Sequence, residues 1–141
     1  MNTLSAVLLT LLAAMQLPTT SETPPVPYNH FPTPTHAFVW RNWQLVEMER
    51  MAETIGATEA DILRIGQAMG LGTPPEISPE IRKRAYITII RRNWHLLPYE
   101  QLTVLLKMSE EELAFALRED DFLYIKLGSK KPNCPPLVYT A

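Results

Sequence analysis

Apolar and polar positions recur in the same order over residues 41–71 and 92–122, and the two stretches overlay without a gap at a constant offset of 51. In the first, Met51, Ala52 and Ile55 share one face at helical spacing, Gly56 interrupts, and Ile62 and Ile65 resume the stripe. In the second, Leu102 and Leu106 are followed by Leu113 and Ala116. The overlay carries polar positions too: Arg41-Asn42-Trp43 falls on Arg92-Asn93-Trp94, Glu49 on Glu100, Thr58 on Ser109 and Asp61 on Glu112. A shared order of core and cap positions marks one supersecondary unit used twice.

Each copy reads as two short helices joined by a tight turn, a helix-turn-helix pattern. Ala52 is small where helices cross, Gly56 suits a left-handed helix end, and Thr58 suits the cap of the next helix. The second turn has Lys107 in place of glycine, which weakens its turn signal. Between the copies, Gly70-Leu71-Gly72-Thr73-Pro74-Pro75 stops the chain, and Ser78-Pro79-Glu80 opens a longer helix expected over residues 79–94. That helix turns Ile81, Ala85, Ile89 and Trp94 inward and Arg82, Lys83, Arg84, Arg91 and Arg92 outward. A first helix from about Thr35 places Trp40 and Trp43 on one side. The expected fold is all-α: two tandem helix-turn-helix-like units joined by a longer helix, spanning residues 36–128.

The flanks differ in composition. Residues 4–17 are apolar, too short for a bilayer span of about 20 residues but of signal-peptide length, although Met1-Asn2-Thr3 supplies no basic charge. Residues 1–20 are therefore read as a signal peptide and the chain as secreted, periplasmic or envelope-bound, with a retained cytoplasmic helix as the alternative. Six of the 13 prolines fall in residues 18–34, so 21–35 is read as an extended, solvated linker. Residues 129–141, with Pro132, Pro135 and Pro136, are read as a second linker or tail.

Charge and chemistry narrow the function. The net charge is −2. The helices that would enter a DNA groove sum to −1 over residues 59–69 and −5 over 110–121, and both would repel phosphates. His30, His36, His95 and the single Cys134 lack metal-ligand spacing, and no Ser or Cys has an identifiable His partner. Adjacent Asp120 and Asp121 diverge by about 100° on a helix and so do not make a catalytic pair. No catalytic residue, metal or cofactor is expected.

The repeated signature, Arg41, Asn42, Trp43 and Glu49 with Arg92, Asn93, Trp94 and Glu100, has two readings. In the structural one each Trp wedges between the helices of its own unit, each Asn satisfies backbone groups at a helix end, and each Arg pairs with a carboxylate, Glu49 or Glu100. In the functional one the Trp rings are exposed and bind a sugar or peptide.

The run Tyr86-Ile87-Thr88-Ile89-Ile90-Arg91-Arg92-Asn93-Trp94-His95-Leu96-Leu97-Pro98-Tyr99-Glu100-Gln101-Leu102, with Leu117-Arg118-Glu119-Asp120-Asp121-Phe122-Leu123 and Lys126-Leu127-Gly128, resembles an N-terminal helical region of large exported bacterial proteins. Those proteins carry a glycoside-hydrolase-like domain further along. The resemblance covers roughly residues 36–136 and implies carbohydrate-active surroundings, export and a natural chain that continues beyond Ala141. It carries over no catalytic residue. The function expected is a non-catalytic interaction or accessory module of an exported, carbohydrate-processing protein, whose partner is a protein, a glycan or a downstream domain. The alternative is a cytoplasmic tandem helix-turn-helix DNA-binding regulator.

Overall fold

A computed structural model describes residues 17–120, 123–128 and 130–141. The apolar run of residues 4–17, read as a signal, lies outside the described residues except for Leu17. The fold is all-α: 52% of the described residues are helical, in eight helices, with two very short strands among them. Among the described residues no helix is long and apolar enough to cross a membrane.

Helix α1 (Pro34–Asn42) begins where Thr33 accepts a bond from the His36 N–H and proline occupies the first turn. It buries Phe38 and Val39. Helix α2 (Met48–Ile55) ends on Gly56 at φ +76°, whose N–H returns to the Ala52 carbonyl. Helix α3 (Glu59–Ala68) opens with a capping box, in which Thr58 and Asp61 satisfy each other's backbone N–H groups.

The second copy repeats these devices. Helix α4 (Pro79–Arg84) is capped by Ser78, α5 (Tyr86–Asn93) follows, α6 (Tyr99–Leu106) ends on Lys107, and α7 (Glu110–Glu119) opens with the Ser109–Glu112 capping box. Lys107 adopts φ +58°, the left-handed conformation that Gly56 takes 51 residues earlier. The turn without glycine thus has the backbone of the turn with one, at the steric cost that a Cβ brings there. Helix α8 (Leu123–Lys126) closes the helical part, with Leu123 buried.

The helices pack as two groups, α1 to α3 and α5 to α7, joined face to face by α1 against α5 and α2 against α6. One apolar cluster centres on Phe38, Trp43, Met51, Ile55 and Ile62, and takes Ile89, Leu97 and Leu105 from the second group. The other contains Ile90, Trp94, Leu102, Leu113, Leu117 and Leu123.

Several expectations need correction. The continuous helix over residues 79–94 is broken at Ala85, where ψ flattens to −6°. Helix α4 buries no side chain, so Ile81 is 41% exposed, whereas α5 is held down by Ile89 and Ile90. The break falls where packing begins to fix the chain. Trp40 and Trp43 do not share a buried side: Trp40 is 47% exposed and leans on Phe31, while Trp43 is buried beyond the helix end.

The flanking segments are mostly solvent-exposed, as expected of linkers, but parts of them are fixed to the helical domain. Strand β1 (Thr19–Thr20) pairs in parallel with β2 (Lys131–Pro132), so a signal boundary at residue 20 would remove one strand of this pair. Leu17 is buried in the second cluster, and Tyr28, Phe31, Leu137 and Tyr139 pack on the first. The prolines carry no N–H to satisfy, and the N–H groups of Val26, Leu137 and Tyr139 find partners on the helical domain, so the extended segments can lie on it with only a two-residue strand pair.

Candidate functional site

The repeated signature lies at the centre of the molecule. Asn42 and Asn93 are fully buried and face one another across the two helix groups. Each side-chain amide donates to the other's Oδ1, at 2.9 Å from Asn42 and 2.7 Å from Asn93. Each uses its remaining N–H on the carbonyl four residues back, Phe38 and Ile89, both at 2.8 Å. The arginines make the same exchange: Arg41 Nε donates to the Arg92 carbonyl at 2.7 Å, and an Arg92 guanidinium N–H donates to the Arg41 carbonyl at 2.8 Å. Contacts in which i meets j and j meets i define a local two-fold relation between the copies.

The expected Arg–carboxylate pairs are therefore replaced by Arg–carbonyl bonds across the two-fold. Glu49 and Glu100 stand exposed, and neither is in ion-pair contact with Arg41 or Arg92. A guanidinium already saturating a helix-end carbonyl of the other copy has little to gain from a solvated carboxylate. Sequence reasoning placed the Asn pair at helix ends but not against each other. The missed signal is that an identical amide recurs at a core position in both copies, and a buried amide needs a partner.

The Trp rings are buried, 2% exposed at Trp43 and 1% at Trp94, so they are not surface binding platforms. Trp43 lies on Gly66 of α3, so close that a Cβ there would stand 2.3 Å from the ring. Trp94 meets Tyr99 edge-on at 6.0 Å, and the Lys131 amine sits over both rings, 5.7 and 5.6 Å from their centroids.

The surface open to a ligand lies elsewhere. A groove of about 820 Å³ runs between the two proline-rich segments, over the seam of the helix groups. Its wall includes Tyr28, Phe31, His36, His95, Leu137 and Tyr139. Specific bonds hold this wall in place. The Val26 N–H donates to His95 Nδ1 at 3.0 Å, Arg41 stacks over the Tyr28 ring at 4.9 Å, and Gln101 donates to and accepts from the Leu137 backbone, both at 2.7 Å. Tyr139 sends its N–H to the Ile55 carbonyl at 2.9 Å and its hydroxyl to Asp61 at 3.2 Å.

Electrostatically the groove is neutral: none of its lining residues is Lys, Arg, Asp or Glu. Burial, and then the charges of Lys131 and Arg41, hold His95 below the ordinary imidazole range, which keeps Nδ1 free to accept from Val26. Asp61, at one end, is held well below the usual carboxylate range by the Thr58 N–H and by Arg64. Among the described residues no three of His, Cys, Asp or Glu gather where a metal ion would bind. The groove can offer rings, hydroxyls and carbonyls to an uncharged ligand. No family model, curated protein or solved structure matches the chain.

Proposed function

We propose that this domain is a non-catalytic interaction module of an exported, carbohydrate-processing bacterial protein, and that the groove between its proline-rich segments binds a neutral glycan. The observation that carries the reading is the composition of that wall, with Tyr28, Phe31, Tyr139, His36 and His95 and no Lys, Arg, Asp or Glu. A sugar presents apolar C–H faces to stack on rings and hydroxyls to bond to uncharged polar groups, whereas a polyanion needs cations that this wall lacks. The resemblance of residues 86–128 to a region that accompanies glycoside-hydrolase-like domains supports the same ligand class. Export is part of the proposal, and the buried Leu17 favours processing upstream of that residue.

The competing reading, a cytoplasmic DNA-binding regulator, is disfavoured by Glu110, Glu111 and Glu112 in the first turn of α7 and by Glu59 and Asp61 in that of α3. Calorimetric titration of the protein with neutral oligosaccharides tests the choice. Binding that is lost in Tyr28→Ala and Phe31→Ala and insensitive to salt is the expected result. No binding to any of them, or tight salt-dependent binding to duplex DNA, overturns the proposal. Turnover of a glycoside by the purified domain would remove the non-catalytic assignment.

A further inference from the structure

Lys131 is fully buried, an unusual place for an ammonium group. Among the described residues it has no carboxylate in ion-pair contact. Its amine is held instead by the Trp94 and Tyr99 rings, by the Pro132 carbonyl at 3.4 Å and by Cys134 Sγ at 3.3 Å. The sulfur is half-buried, with the carbonyls of Trp94 and Pro132 at 3.7 and 3.6 Å. The chain has no second cysteine, so an oxidised Cys134 has no intrachain thiol to resolve it.

We infer that Lys131 and Cys134 form a redox-dependent covalent crosslink, a lysine–cysteine sulfenamide, when the protein meets a peroxide. In the first step the thiolate attacks peroxide: the O–O bond breaks, an S–O bond forms, and water leaves after protonation, giving the sulfenic acid. In the second the neutral Lys131 amine attacks sulfur: an S–N bond forms, the S–O bond breaks, and hydroxide leaves as water with a proton from the nitrogen. One thiol, one amine and one hydrogen peroxide give one S–N linkage and two waters. Peroxide is the oxidant, and sulfur is oxidised by two electrons.

Burial favours the second step because it holds the Lys131 amine below the ordinary lysine range, and a neutral amine is the nucleophile. The local setting also rewards the product, since the crosslink replaces a buried cation with an uncharged N–H. The ring joins residues three apart, so it constrains little chain and acts on charge rather than on loop entropy. The inference does not depend on the glycan reading.

The test is intact mass and peptide mapping of the full chain after one equivalent of hydrogen peroxide. The wild type is expected to lose two hydrogens, about 2 Da, at a peptide joining Lys131 to Cys134, and to recover its mass with a thiol reductant. In Lys131→Arg the cation remains but the amine is gone, and Cys134 is expected to proceed to sulfinic acid or to an intermolecular disulfide. Sulfinic acid, disulfide dimer or an unmodified cysteine in the wild type overturns the inference. The wild-type peptide map decides the matter even if the variant does not fold.

Discussion

The two copies share the Arg-Asn-Trp signature and its reciprocal bonds, yet their tryptophans live in different surroundings. In the first copy Trp43 lies on the bare backbone of Gly66, inside a group of three helices. At the equivalent place in the second copy stands Leu117, and Trp94 is enclosed by Tyr99 and by Lys131 from the end of the chain. Neighbouring positions diverge in the same sense. Exposed Gln44 corresponds to His95, which anchors Val26, and Arg50, paired with Glu53, corresponds to Gln101, which anchors Leu137. The second copy also receives the start of the N-terminal flank, since the Tyr99 hydroxyl donates to the Pro18 carbonyl at 2.8 Å. The two equivalent frames thus share the chain ends unequally: His95, Gln101 and Tyr99 of the second hold them by specific bonds, while Tyr28, Phe31, Leu137 and Tyr139 pack on the core of the first.

The largest effect in this comparison belongs to the rings themselves. Truncating either one, Trp43→Ala or Trp94→Ala, is expected to cost about 3–5 kcal/mol in denaturant unfolding, because a buried ring leaves a cavity that rigid helices cannot fill. The two variants should part company in limited proteolysis. Trp94→Ala also strips Lys131 of its aromatic cover and should expose residues 130–141 to cleavage, while folded Trp43→Ala should keep that segment protected. Equal protection in both would mean that the C-terminal segment is held without Trp94.

Next comes the Asn pair, the feature the copies share. Asn42→Ala removes one amide and leaves the Asn93 Oδ1 and one of its N–H groups without a partner, at about 1–3 kcal/mol for each buried group left unpaired. The double change Asn42→Leu with Asn93→Leu strands neither amide of the pair. It should cost clearly less than the sum of the two single substitutions to leucine. Additive costs in that cycle would show that the reciprocal bonds do not couple.

Much of this was legible in the chain and part of it was not, for physical reasons. The caps at Thr58 and Ser109 and the stripe Met51, Ile55, Ile62 are local, so spacing alone places them. How two copies face each other is not local: the offset of 51 equates Asn42 with Asn93 but says nothing about whether they touch. The docking of the flanks was missed because proline-rich composition marks a segment as solvated, which these segments mostly are, and gives no sign of the few side chains that pack. A proline-rich segment has no helical or strand period to betray docking through Tyr28, Phe31, Leu137 and Tyr139. The groove is made by those segments, so it was invisible for the same reason.

A smaller effect probes the contact that separates the two tryptophans. Gly66→Ala would normally favour a helix by about 1 kcal/mol. Here the added methyl collides with the Trp43 ring, which cannot retreat within a packed core, and a net loss of about 1–3 kcal/mol is expected. Leu117→Gly, the reverse exchange at the equivalent position of the second copy, should also destabilise, because it empties a buried site and weakens α7. A Gly66→Ala variant as stable as the wild type would show that Trp43 can adopt a setting like that of Trp94.

The smallest effect is a pH dependence confined to the second copy. His95 has its folded-state pKa lowered from 6.5, so the unfolded chain takes up the proton first as pH falls. The contribution of neutral His95 is therefore complete above about pH 6.5 and is lost as pH falls through the lower folded value. Protonation puts a hydrogen on Nδ1 and breaks the bond from Val26, so the Val26 amide should exchange with solvent faster under acid once intrinsic exchange is corrected for. His95→Gln, which restores the residue type of the first copy, should remove this dependence and leave the Val26 amide fast at neutral pH. If Val26 keeps its protection in that variant, the arm over the groove is held by Tyr28 and Arg41 rather than by His95.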